Sequence, residues 1–62
     1  MKALKSEIVI EILHDGSYLC KFRDNNDNLI KHRYVGDLNK SQAKKYFINY
    51  LTVHHNINFL KK

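Results

Sequence analysis

Lys21, Arg23, Lys31 and Arg33 recur at every second position on either side of the segment Asp24-Asn25-Asn26-Asp27-Asn28. Alternate residues of an extended strand point to one side. Two strands joined through a turn centred near Asn26 therefore bring all four cations to one face, with Lys21 directly across from Lys31. Like charges opposed across strands are destabilising, and Glu11 offsets only part of the repulsion. An anionic ligand would relieve the rest. The competing reading is a solvated sheet face, Lys/Arg-rich for solubility and for protection of sheet edges.

Other reactive side chains form no catalytic or metal-binding pattern. His54 and His55 are adjacent, so on a helix they point about 100° apart and do not chelate together. His14 sits at a turn, His32 falls on the expected core face, and no CxxC pair accompanies them. Cys20 opposite His32 invites comparison with a Cys–His nucleophilic pair. Burial of both beneath a helix is the expectation, and so short a chain has little room for a substrate cleft. Phosphate loops and paired acidic motifs are missing. Tyr46, Phe47 and Tyr50 suggest a base-stacking platform, but their helical spacing points to a core stripe. The expectation is a non-enzyme with no cofactor, no metal and no small-molecule substrate.

The elements that position these residues follow from pattern. Ile8 to Leu13 is β-branched and ends at His14-Asp15-Gly16, a hairpin-turn signal. Strands are expected at about 7–14, 17–24 and 28–35. Asn39 is a good N-cap and Gln42 completes a capping box, so a helix is expected over about 40–55, with a tail at 56–62 that either extends the helix or folds Ile57, Phe59 and Leu60 back onto the sheet. Ala43, Tyr46, Phe47, Tyr50, Leu51 and His54 line one helical face. The predicted fold is α+β: a three-stranded antiparallel meander packed against one C-terminal helix, βββα.

Register decides which residues form the core. A two-residue Asp15-Gly16 loop would pair Ile10 with Lys21 and mix the two faces. A three-residue loop with Gly16 in the left-handed region keeps the apolar sets in phase. The expected core is then Ile8, Ile10, Ile12, Tyr18, Cys20, Phe22, Ile30, His32 and Tyr34. The opposite face carries the four cations and Glu11, with Val9, Leu13, Leu19 and Leu29 between them.

Composition narrows the setting. The 62 residues carry a net charge of +5, two glycines, no proline and one cysteine, which reads as a single small domain over 1–62. A lone thiol and the lack of a signal-peptide pattern or long apolar run point to a soluble cytoplasmic protein that does not enter a membrane. Excess positive charge favours acidic partners, nucleic acid being the commonest.

Gly16-Ser17-Tyr18, the Asp24–Asn28 turn and Asn39-Lys40-Ser41-Gln42-Ala43 give the chain a resemblance to a known module. It resembles the AP2-like, arm-binding domain at the N-terminus of phage and transposon tyrosine recombinases, over about Ile8 to Leu51. That module runs Gly-x-aromatic, a basic strand, an Asp-containing turn, a second basic strand and a Thr/Ser-capped helix. The link Gly36-Asp37-Leu38 is longer than in the family, and no recombinase catalytic domain follows. The resemblance implies DNA binding by the exposed sheet in the major groove, with Lys21, Arg23, Lys31 and Arg33 as contacts. Nucleic acid, DNA ahead of RNA, is thus the expected partner. The alternative is a protein-interaction module, a homodimer or a mobile-element inhibitor of a host protein. It rests on Val9, Leu13, Leu19 and Leu29 and on the tail residues Ile57, Phe59 and Leu60.

Overall fold

Both hairpins of the sheet are built on the same short loop. In the first, Leu13 N–H donates to Ser17 (2.9 Å) and Gly16 N–H to Leu13 (3.0 Å). His14, Asp15 and Gly16 are thereby enclosed, with Gly16 at φ +85°. In the second, Asp24 N–H donates to Asn28 (3.0 Å) and Asp27 N–H to Asp24 (3.1 Å). Here Asp27 takes the left-handed place at φ +64°, where Asp is tolerated better than most residues. Asp24 Oδ1 accepts from Asn26 and Asn28 N–H, both at 2.9 Å, and closes the turn as an Asx motif. Odd loops set the register: Ile10 faces Cys20, Lys21 faces Lys31, and the apolar set stays on one side.

The structure, a computed structural model, describes residues 2–60. Its elements are β1 (Lys2–Ala3), a 3-10 turn (Lys5–Glu7), β2 (Val9–Ile12), β3 (Tyr18–Arg23), β4 (Leu29–Tyr34), α1 (Lys40–His55) and β5 (Asn58–Phe59). The antiparallel sheet runs β2-β3-β4, and α1 packs on it to give the expected βββα arrangement. Asn39 Oδ1 accepts from Gln42 N–H (2.8 Å) and Gln42 Oε1 from Asn39 N–H (3.0 Å), the reciprocal cap read from the sequence. Asn56, left-handed at φ +54°, ends the helix.

Of the two courses open to the tail the structure takes the fold-back, and it adds a strand pairing that pattern alone does not disclose. After a 3-10 turn closed by Glu7 on Leu4 N–H (2.8 Å), the N-terminal segment enters β2. β1 pairs in parallel with β5, and Leu60 N–H donates to Ala3 (2.9 Å). This folds the tail back, burying Ile57 and setting Phe59 edge-on to Phe22 at 5.7 Å. Tail residues 61–62, like Met1, lie outside the described residues.

The core is Ala3, Ile8, Cys20, Phe22, Ala43, Phe47, Leu51 and Ile57, with Ile10, Tyr18, Ile30 and Tyr34 packed around it. Two expected core residues of the sheet are not in it: Ile12 is 63% exposed and His32 is exposed. Tyr46 and His54 of the helix stripe are exposed as well. The helix lies over the central strand β3. It covers only part of each flanking strand: Ile10, Ile30 and Tyr34 pack against the core, while Ile12 and His32 on the same strands stay open. His32 instead stacks on Tyr34 (4.5 Å between centroids) and meets Tyr50 edge-on (5.0 Å).

Candidate nucleic-acid interface

The outer face of the sheet brings Lys21, Arg23, Lys31 and Arg33 together. Cross-strand rows run Leu19–Arg33, Lys21–Lys31 and Arg23–Leu29, and β2 adds Glu11 beside Leu19 and Val9 beside Lys21. From the first row to the third is four residues, about 13 Å along the strands. Apolar and basic residues interleave along this face, and α1 lies on the other.

The cations are not equivalent. Lys21 Nζ lies 3.0 Å from Glu11 Oε1. Arg23 donates to Asp27 Oδ1 (3.2 Å) and to the Asp27 carbonyl (3.3 Å), reaching back over its own hairpin turn. Arg33 donates to Asp15 Oδ2 (2.7 Å) and through Nε to Ser17 Oγ (3.1 Å). Ser17 is buried beneath it. Lys31 alone has no acidic partner among the described residues. The face read from sequence as an uncompensated stripe is therefore largely offset, by four cations against three carboxylates.

Sequence reading missed Asp15, Ser17 and Asp27, which hold the two arginines. Both aspartates look like turn residues and nothing more. The available signal for Asp27 is its position four residues after Arg23 across a tight turn. Asp15 reaches Arg33 only through tertiary register, so no local pattern marks it. Ser17 Oγ donates to Asp15 Oδ1 (2.6 Å) and Ser17 N–H donates to the same oxygen (3.0 Å). These two bonds, with Arg33 beside them, hold the Asp15 carboxyl below the usual carboxylate range.

On the helix side, Cys20 faces His32 in register, and each side chain has a backbone carbonyl as its polar partner. Cys20 is fully buried, its Sγ directed at the Ala43 carbonyl (3.8 Å), and burial pushes the thiol up. An activated thiol needs the opposite shift. His32 points to the sheet edge, its Nδ1 3.1 Å from the Arg33 carbonyl oxygen. Burial also raises the Tyr34 phenol, with Cys20 and Tyr50 adding to the effect. His32, Tyr34, Tyr46, Tyr50, His54 and His55 form a chain of ring contacts along this edge. Among the described residues no three His, Cys, Asp or Glu side chains gather to hold a metal ion, and no helix is long and apolar enough to cross a membrane.

No protein-family model matches the chain, and no curated protein or solved structure matches it. The class reached is a small α+β protein with a βββα fold. The resemblance to the arm-binding module rests on its motifs alone.

Proposed function

We propose that the protein binds nucleic acid, duplex DNA ahead of RNA, with the outer face of the β2-β3-β4 sheet. The observation that carries this reading is the central pair: Lys21 and Lys31 stand directly opposed, with Arg33 and Arg23 in the flanking rows. Like charges on directly opposed residues are destabilising in the free protein, and a phosphate backbone would relieve the part that Glu11 does not offset. The ion pairs do not block this role. The side chains of Arg23 and Arg33 are 56% and 53% exposed. Exposed pairs are worth about 0–1 kcal/mol, so a phosphate oxygen replaces a carboxylate at little cost. A face about 13 Å long and three strands wide suits the major groove, about 12 Å across, which admits β-structure. The AP2-like resemblance supports the same docking and, with it, a phage or mobile-element role. A cytoplasmic setting agrees with the single reduced thiol.

An NMR titration with random-sequence duplex DNA at low and moderate salt tests the reading. Expected are amide shifts on β3 and β4 centred on Lys21 and Lys31, weakening as salt rises. Shifts confined to α1, or none at low salt, would overturn it. A protein-interaction role is the second reading, and the unpaired outer edge of β2 favours it.

A further inference from the structure

The two edges of the sheet are defended very differently. On β4, the outward backbone groups belong to Leu29, Lys31 and Arg33, because the Asp24–Asn28 hydrogen bond sets the alternation. Charged side chains on an edge discourage further pairing. On β2, the Leu13–Ser17 bond turns the backbone of Leu13 toward β3, so Ile10 and Ile12 present their N–H and C=O groups outward. That edge reads Val-Ile-Glu-Ile, with no lysine or proline, and Val9 and Ile12 are 58% and 63% exposed. Nothing in the described chain pairs with it.

A groove lies beside this edge. It has a volume of about 420 Å³ and runs between β2 and the first two turns of α1, lined by Ile8, Ile10, Lys40, Ser41 and Lys44. The sheet side is apolar and the helix side cationic. Neither Lys40 nor Lys44 has an acidic partner among the described residues. The helix Lys40–His55 contains no acidic residue at all. Lys40 and Lys44 stand at i and i+4, where like charges repel, and near the helix start, where positive charge is disfavoured. The free protein holds these charges against local preference, and carboxylates in the groove would reverse that.

We infer that this groove docks an acidic segment of another protein in extended conformation, added to β2 as a fourth strand. Main-chain hydrogen bonds form to Ile10 and Ile12, and side chains on the helix side of the added strand carry carboxylates to Lys40 and Lys44. A second copy of this chain fits less well. Antiparallel self-pairing about Ile10 would set both helices on one side and bring two sets of Lys40 and Lys44 together. The site uses neither Lys21, Arg23, Lys31 nor Arg33, so it stands independently of the nucleic-acid reading.

The probe is a fluorescein-labelled peptide of alternating Glu and Val about seven residues long, near the length of an ordinary strand. Its Lys/Val analogue is the control. The Glu/Val peptide is expected to bind, to slow amide exchange at Ile10 and Ile12, and to leave Lys31 unshifted. The double variant K40E/K44E is expected to lose more than about tenfold in affinity. Lys40→Gln, at an exposed position, keeps the question open to test if the double variant does not fold, and it is expected to weaken binding in the same direction. Equal binding of the Lys/Val peptide, undiminished binding by the folded variants, or shifts centred on the outer sheet face would each overturn the proposal. So would dimerisation of the protein alone that protects the same amides.

Discussion

Replacing Glu11 and Asp27 by their amides asks whether the basic sheet face is open to a ligand or neutralises itself. In the free protein Glu11 lies 3.0 Å from Lys21 and Asp27 lies 3.2 Å from Arg23. With Asp15 on Arg33, these pairs leave Lys31 as the one cation of the four without a carboxylate among the described residues. A face that stays paired offers duplex DNA a single phosphate contact, and the logarithm of affinity then falls with the logarithm of salt at a slope of about −0.9. A face that exchanges its carboxylates for phosphates makes four contacts, and the slope steepens to about −3.6. Exchange is expected, because each exposed pair forfeits only about 0–1 kcal/mol.

Glu11→Gln with Asp27→Asn removes that forfeit at two positions and relieves repulsion between carboxylate and phosphate. At about 0.5 kcal/mol per pair, binding tightens about fivefold, with the slope unchanged. Asn at 27 keeps the left-handed backbone, which it adopts readily. Asp15 is left in place because it also accepts from Ser17 N–H and Oγ and so holds its turn. Lys31→Ala is the companion variant and reduces the slope by about one. Fluorescence anisotropy with a short random duplex, repeated across a salt series, reads all of these. A wild-type slope near −0.9, with the amide variant binding no tighter, would refute the reasoning that makes this face a DNA surface.

Other expectations bear on the scaffold. Ile57→Ala removes a side chain only 2% exposed and should cost about 2–5 kcal/mol in urea unfolding. A loss below 1 kcal/mol, on the order of a surface change, would show that the tail is not part of the core. Gly16→Ala should cost about 1–2 kcal/mol from backbone strain alone, because no atom lies within 4 Å of the added methyl. Gly16→Asn should cost less, and equal losses would point to a different turn. Asp15 has a folded pKa below its unfolded value, so its contribution is present above about pH 4 and is lost as pH falls through the lower folded value. Asp15→Asn should flatten that part of the urea midpoint's pH profile, and an unchanged profile would count against the Ser17 and Arg33 contacts. The buried, raised thiol of Cys20 should react with a thiol reagent only as the protein opens. Rapid full labelling at pH 7 in the native state would contradict its burial.

Alternation and turn chemistry made the sheet legible because they constrain each other. Ile10 cannot pair with Lys21 without exposing one face and charging the other, so only an odd first loop is consistent, and Gly16 is the residue to make it. The same logic carried Lys21 across from Lys31. Alternation tells which side a residue faces but not how far the opposing layer reaches, and for that reason Ile12 and His32 read as core and prove exposed. Parallel pairing of Lys2–Ala3 with Asn58–Phe59 joins chain ends, and no local pattern encodes it. Charge is the subtler case. Counted along the chain, the strands look like the basic surface, yet three carboxylates from two turns and a neighbouring strand return to that face. The helix carries Lys40, Lys44 and Lys45 and contains no acidic residue of its own. Cations are thus gathered on two surfaces and held differently on each. One is the sheet face proposed to exchange its carboxylates for phosphates, the other the groove beside β2, where Lys40 and Lys44 have no acidic partner among the described residues. Variants that strengthen DNA binding on the first should leave peptide binding on the second untouched, and K40E/K44E should do the converse.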